Sequence, residues 1–359
     1  MMLNNRLKQA FLVLLRQGLW GRKEVETNLF PLTSDEWMQI FDMSVKQTVQ
    51  GIIYDGIGWL PKEWQAPRNL LMRWTVAIDQ LERMNRHQNA LLNAFPQIFG
   101  QEPAIPYQIL KGQGIAVFYP QPLHRLCGDI DLYFGNEEQT EKANKRIESL
   151  GIPVERGRNG ESNYMLNGVL IEHHAHLIEL HYNQKQLQQW EGQRFLQGGQ
   201  TPDAVANHLL LSTHILKHLI NQGIGLRQLC DTAMALVGLA EQTDKQELEQ
   251  ISRQWHIYRW HQLLYALLVK HLGMPEKYLP FPTHVNPDRL LDEVWESGNF
   301  GHGDERFGDR PEGKWKSKWH TWKIVSNKLH LSAVYAPHET WHWLSGLIAV
   351  RLKELITSK

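Results

Sequence analysis

Apolar residues along this chain follow two different spacings, and the switch between them divides it into three segments. From Leu3 to about residue 101 they recur every three or four positions, the spacing of helices with one buried face. Leu3, Leu7, Ala10, Phe11, Leu14 and Leu15 make the first such stripe. A break at Pro31–Ser34 precedes a second helix, with Ser34 as candidate N-cap ahead of acidic residues. Gly51, Gly56 and Gly58 punctuate a shorter segment. Residues 67–94 then predict one long helix with Leu70, Leu71, Trp74, Ala77, Ile78 and Leu81 on its face, and Pro96 just beyond as its stop.

After residue 101 the spacing shortens. The run up to Leu110 predicts a strand, Lys111-Gly112-Gln113-Gly114 a turn, and residues 115–118 the start of a short helix. In Gly128–Phe134, Ile130 and Leu132 alternate with Asp129 and Asp131, which predicts a half-buried strand. Residues 136–150 read as a helix crossing back over the sheet. Asn167-Gly168, between the apolar runs 163–166 and 169–173, predicts a two-residue hairpin. Leu177–His181 predicts a third short strand. Helical spacing returns in 205–221, 226–240, 245–255, 260–272, 315–329 and 339–356, with a glycine- and charge-rich loop at 298–313. The expected fold is α+β and mostly helical. An α/β core at residues 102–200 is flanked by a helical lobe at 1–101 and a helical domain at 201–359.

Charge and composition narrow the function. The chain carries 38 basic and 38 acidic residues, so it lacks the basic excess of a general nucleic-acid binder. Its two cysteines, Cys127 and Cys230, suggest a reducing compartment rather than a disulfide framework. The apolar run Phe11–Leu15 is too short for an export signal or a membrane span. The expectation is a cytoplasmic protein with no membrane partner. Many of the tryptophans stand in helical patterns, where packing is the default explanation. Trp315, Trp319 and Trp322 form one such stripe, with Lys314, Lys316 and Lys318 on the wet side.

The chemistry concentrates in residues 110–134 and 178–181. In an extended strand Asp129 and Asp131 point to one face, roughly 6–7 Å apart along the backbone. Two carboxylates so placed repel each other unless a cation or a proton intervenes. Glu172 and Glu179 are rival third carboxylates. His173, His174, His176 and His181 invite a zinc reading, but the neighbouring carboxylates better suit a hard, oxygen-bound cation.

The residues Lys111-Gly112, Ile115-Ala116, Tyr119-Pro120, Arg125, Asp129-Ile130-Asp131-Leu132 and Glu179-Leu180-His181 resemble the nucleotidyltransferase superfamily. Within it they resemble the uncharacterised group called nucleotidyltransferase family 5. Gly225–Asp231, GLRQLCD, resembles a further segment of that group, so the likeness spans roughly residues 110–231. It implies a nucleotidyltransferase-type mixed sheet and transfer of an NMP from an NTP substrate to a hydroxyl or phosphate acceptor that the residues do not name. It also implies Mg²⁺ or Mn²⁺ held by Asp129, Asp131 and Glu179 as catalytic metal ligands. Lys111, Gly112, Gln113, Arg125 and His181 would contact substrate. The preference for Glu179 over Glu172 comes from this resemblance. Typical members of the superfamily carry Gly-Ser where this chain has Lys111-Gly112-Gln113. That departure sustains the alternative of a catalytically inactive nucleotide-binding or interaction module on the same fold.

Overall fold

The structure, a computed structural model, describes residues 4–24, 28–157, 160–299 and 329–357, with side chains described to residue 348. The tryptophan stripe at 315–322 and nearly all of the 298–313 loop lie outside the described residues. The fold is α+β, 61% helical, with a small mixed five-stranded sheet.

The N-terminal segment forms α1 (Asn5–Trp20), α2 (Ser34–Lys46), α3 (Gln50–Ile57), α4 (Arg68–Leu92) and α5 (Phe95–Phe99). Thr33, not Ser34, caps α2: its hydroxyl accepts from the Glu36 amide while the Glu36 carboxylate accepts from the Thr33 amide. Pro96 does not merely end α4 but sits in the first turn of α5, where a missing N–H costs nothing. Helices α1 and α3 touch backbone to backbone. A Cβ on Gly18 would lie 1.9 Å from the Ile52 carbonyl oxygen, and one on Gly56 would lie 1.9 Å from that of Leu14. The glycines that seem to punctuate the sequence are therefore contact points inside and beside helices. Gly56→Ala is expected to lower the unfolding free energy by about 1–3 kcal/mol, since backbone must move to admit one methyl group. Urea denaturation measures it, and an unchanged midpoint would contradict the close contact.

The sheet follows as β1 (Gln108–Leu110), β2 (Ile130–Tyr133), β3 (Glu155–Arg156), β4 (Ser162–Leu166) and β5 (Val169–His174), with α6 (Lys111–Ala116) after β1 and α7 (Glu137–Ser149) after β2. Strand order is β1-β2-β5-β4-β3, and every neighbouring pair is antiparallel except β2 with β5. Helix α7 makes the crossover that a parallel pair needs. The hairpin forms where expected, with Asn167 at φ 50° and Gly168 at φ 81°, the two left-handed positions of a type I′ turn. The segment 177–181 is not a strand. Its amides donate to side chains instead of to a neighbouring strand: Ile178 to Glu191, and His181 to Glu339.

Further helices are α8 (Gln184–Arg194), α9 (Ala204–Asn221), α10 (Leu226–Gly238), α11 (Lys245–Gln254), α12 (Tyr258–Lys270), α13 (Asp288–Ser297) and α14 (Pro337–Thr357). They share one apolar core with the N-terminal helices. Phe11 of α1 meets Trp295 of α13 edge to face at 5.3 Å, and Gln47 bridges the Val294 carbonyl and the Leu226 amide. Trp37, Trp74, Trp260 and Trp295 are fully buried, as packing residues should be. No helix among the described residues is long and apolar enough to cross a membrane.

The two faces of the sheet differ. Ile130, Leu132 and Phe134, with Ile171 and Tyr164, pack on Phe95 and Phe99 of α5 and Ala143 and Ile147 of α7. The opposite face carries Asp131, Glu172 and His174 and looks toward α9 and α10. Strand alternation thus hides one set of side chains and collects the polar set on a single surface.

Candidate functional site

The site begins at the junction of β1 and α6. Lys111 and Gly112 both have positive φ, 42° and 27°, and Gly112 has ψ −112°, so the helix is kinked at its start. A non-glycine residue held there costs of order 1–3 kcal/mol and persists only where its surroundings impose it. The kink accompanies an ion pair: Lys111 Nζ lies 3.3 Å from Asp131 Oδ1. A Cβ on Gly112 would stand 3.5 Å from the Asp129 carbonyl oxygen, so the turn also lies against the backbone that presents Asp129.

Asp131 is the centre. In the parallel register it faces Glu172 on β5. His174, two residues further and therefore on the same face, donates Nε2–H to Asp131 Oδ1 at 2.7 Å. One ligand atom from each of Asp131, Glu172 and His174 lies within 4.8 Å of the others, a group able to close around a metal ion. Burial alone would raise the pKa of Asp131, but Lys111 and His174 reverse this and hold it well below the usual carboxylate range. The Glu172 carboxyl moves up, through burial and then the charges of Asp131 and Asp129. Lys111 is buried too, which would discharge it; the carboxylates Asp131, Glu179, Asp129 and Glu172 together keep its pKa above the ordinary lysine value.

Asp129 lies one residue before β2, at the lip of the cavity rather than inside the strand. Glu179 faces α9, where His214 Nδ1 donates to it at 2.8 Å and Lys217 Nζ at 3.2 Å. Burial would raise its pKa, and His214, Lys111 and Lys217 pull it far down. Glu179 and Glu172 therefore occupy different surroundings, and Glu172 is the one paired in register with Asp131.

Arg125 lines the same cavity as Lys111 and Asp131, but its donors are taken by partners within the chain. Its Nε and Nη2 donate to the two oxygens of Asp231 at 3.0 and 2.6 Å, and Nη1 reaches the Leu126 carbonyl and Cys127 Sγ. Tyr119 completes this buried cluster by donating to Asp231 Oδ1 at 2.7 Å. Gln113 turns away from the cavity to donate to Gln88, which itself donates to the Cys127 and Gly128 carbonyls. His181 is largely exposed and bonds Glu339 at the start of α14. The histidine run does not converge: His173 points to the opposite face, bonded to Asn144 and Tyr164.

Lys111, Asp129, Asp131, Glu172, Glu179 and Arg227 line a cavity of about 470 Å³ between the sheet and helices α9 and α10. A second cavity of about 280 Å³ adjoins it, sharing His174, Glu179, Glu161 and Lys217 and continuing to His181 and Glu191. A buried aspartate in register with a half-buried glutamate, a kinked glycine turn and a lysine beside them suit the handling of a phosphorylated, metal-bound substrate.

The sequence of residues 33–273 matches a family described as an uncharacterised nucleotidyltransferase. The chain belongs to this nucleotidyltransferase family. No curated protein and no solved structure matches it. The matched span contains the sheet, the cavity, and helices α9 and α10.

Sequence reasoning did not single out His214 and Lys217 on α9 or Arg227 and Gln228 on α10. The only signal was spacing. His214 and Lys217 are three residues apart on a helix, hence on one face, but so are many exposed pairs. Arg227 and Gln228 stand inside the noted segment GLRQLCD without anything that marks them as facing a cavity.

Proposed function

We propose that the chain transfers a nucleoside monophosphate from an NTP to a hydroxyl or phosphate acceptor, with pyrophosphate as leaving group. The observation that carries this reading is the register pairing of Asp131 with Glu172, with His174 beside them, at the base of the cavity. Two carboxylates and one imidazole fit a divalent cation of the hard-to-borderline kind, Mg²⁺ or Mn²⁺, and the imidazole tilts the set toward Mn²⁺. Asp129 extends the donors toward a second ion, as two-metal chemistry requires. The bound cation would polarise the α-phosphate and neutralise the departing pyrophosphate.

The chain's own groups then have distinct tasks. Lys111, fixed by the strained turn, keeps Asp131 ionised and adds positive charge where phosphates enter. The acceptor oxygen attacks the α-phosphorus as the bond to pyrophosphate breaks, and its proton passes to a carboxylate. Glu179 accepts hydrogen bonds from His214 and Lys217 and orients both at the junction of the two cavities.

The test is calorimetric titration of the full chain with each NTP, with and without Mg²⁺ or Mn²⁺, followed by α-labelled NTP in cell extract to find a labelled acceptor. Nucleotide binding that needs no metal, or no binding at all, sinks the catalytic reading. One observation favours a second reading: Lys111 already neutralises Asp131 from within the chain. Metal-dependent binding with no labelled product from any extract would favour a nucleotide-binding module without turnover.

A further inference from the structure

We infer that Arg227 and Gln228, in the first turn of α10, form the pole of the cavity that grips the polyphosphate of the nucleotide. The inference rests on the nucleotidyl-transfer reading and gives it a phosphate-recognising residue besides Arg125, whose Nε and Nη2 are already taken by Asp231.

Two side chains at this end of α10 carry unused donors. The guanidinium of Arg227 makes one hydrogen bond among the described residues, Nη1 to the Leu126 carbonyl at 3.0 Å. Its Nε is buried without a partner. Gln228 is buried, and its Oε1 accepts from the Gly225 amide at 2.7 Å, but its Nε2 has no partner. Leaving such donors unpaired is costly unless a ligand completes them. Both side chains line the cavity that holds Asp129, Asp131 and Glu172. They stand at the N-terminal end of a 13-residue helix, where the backbone dipoles favour an anion.

Charge points the same way. Burial and the nearby Arg125 both work against the positive charge of Arg227, while Asp231 and Asp129 support it only in part. Asp231 already serves Arg125 through both oxygens. Arg227 is thus a half-buried cation without a carboxylate of its own, and its planar fork matches phosphate oxygens. In the one cavity the carboxylates would hold a cation, and Arg227 with Gln228 would take the phosphates that such a cation accompanies.

The experiment measures affinities of the full chain for inorganic tripolyphosphate, NTP and NMP by calorimetry in Mg²⁺. Wild type is compared with Arg227→Gln, Arg227→Lys and Gln228→Leu, with thermal melts as the folding control. Arg227→Gln should weaken tripolyphosphate and NTP about 10–100-fold, the loss of one charge-assisted phosphate contact. NMP should weaken far less, and Arg227→Lys should recover part of the loss. Gln228→Leu should cost a few-fold through its single N–H donor. If Arg227→Gln does not fold, Arg227→Lys against wild type carries the same triphosphate-to-monophosphate comparison.

Equal weakening of NMP and NTP would assign Arg227 a purely structural role through Leu126 and overturn the inference. Unchanged affinities would overturn it as well, with the nucleotidyl-transfer reading left standing. Wild type that binds tripolyphosphate but no NTP, with that affinity lost in Arg227→Gln, would sink the nucleotidyl-transfer reading and keep the anion pole. Wild type that binds neither removes both.

Discussion

Asp131→Asn should reduce metal-dependent NMP transfer at least about a hundredfold, because it removes the charge on which the cation and the strained Lys111 both depend. The side chain keeps its shape, so the loss is electrostatic. The fold should survive. Lys111 still faces Glu179, Asp129 and Glu172, and an asparagine oxygen can still accept from Lys111 or His174. The discriminating measurement is kcat together with metal titration in the presence of NTP. A variant that keeps near-normal turnover would remove Asp131 from the chemistry. One that loses turnover only because its melting temperature collapses would make Asp131 a structural ion-pair partner of Lys111. Glu172→Gln and Glu179→Gln make the comparison sharper: metal affinity should fall in the first and stay close to normal in the second.

The largest stability effect is expected at Asp231. Asp231→Ala leaves the Arg125 guanidinium buried, 4% exposed, with Nε and Nη2 unpaired and Tyr119 without its acceptor. Breaking a buried pair from one side costs about 3–5 kcal/mol, mostly the penalty of the stranded charge. Replacing both partners by apolar residues, Arg125→Met with Asp231→Leu, should recover much of that loss, since the desolvation of both charges disappears together. Urea denaturation of the two single variants and the double variant tests it. An Asp231→Ala variant within about 1 kcal/mol of wild type would contradict the buried geometry. The pair also matters to the site. Arg125 and Arg227 both donate to the Leu126 carbonyl, while Asn85 and Gln88 of α4 hold the carbonyls of Leu123, Arg125, Cys127 and Gly128. This loop presents Asp129, and it has almost no secondary structure of its own to fix it. Its backbone oxygens are satisfied by side chains from two helices instead.

Local features were legible because their causes are local. A two-residue period places Asp131 opposite Ile130 and Leu132 wherever β2 pairs, and Asn167-Gly168 carries the positive φ values that a tight hairpin demands. The helices from α9 to α12 follow from apolar stripes bounded by glycine, aspartate and proline. The segment 177–181 misled for a physical reason. Its alternation fits a strand, but Glu191 and Glu339 reach its amides before any neighbouring strand does. Glu339 lies 158 positions away from His181, and no periodicity carries information over that distance.

What the sequence determined by itself is the set of ingredients. These are a mostly helical chain with one small sheet, a carboxylate pair alternating with buried apolar residues, and a kinkable Lys111-Gly112 turn just upstream. Tertiary structure decided how they combine. The parallel register of β2 with β5 sets Glu172, rather than Glu179, next to Asp131; a one-residue slip would have sent it to the other face. The packing of α9 gave Glu179 to His214 and Lys217, and that of α10 gave Arg125 to Asp231 while leaving Arg227 with donors to spare. Strand and helix periods act between near neighbours in the chain, whereas charges choose partners by distance in space. Which carboxylate stands beside Asp131 and which arginine keeps donors to spare is settled only when the sheet and the helices close on one another.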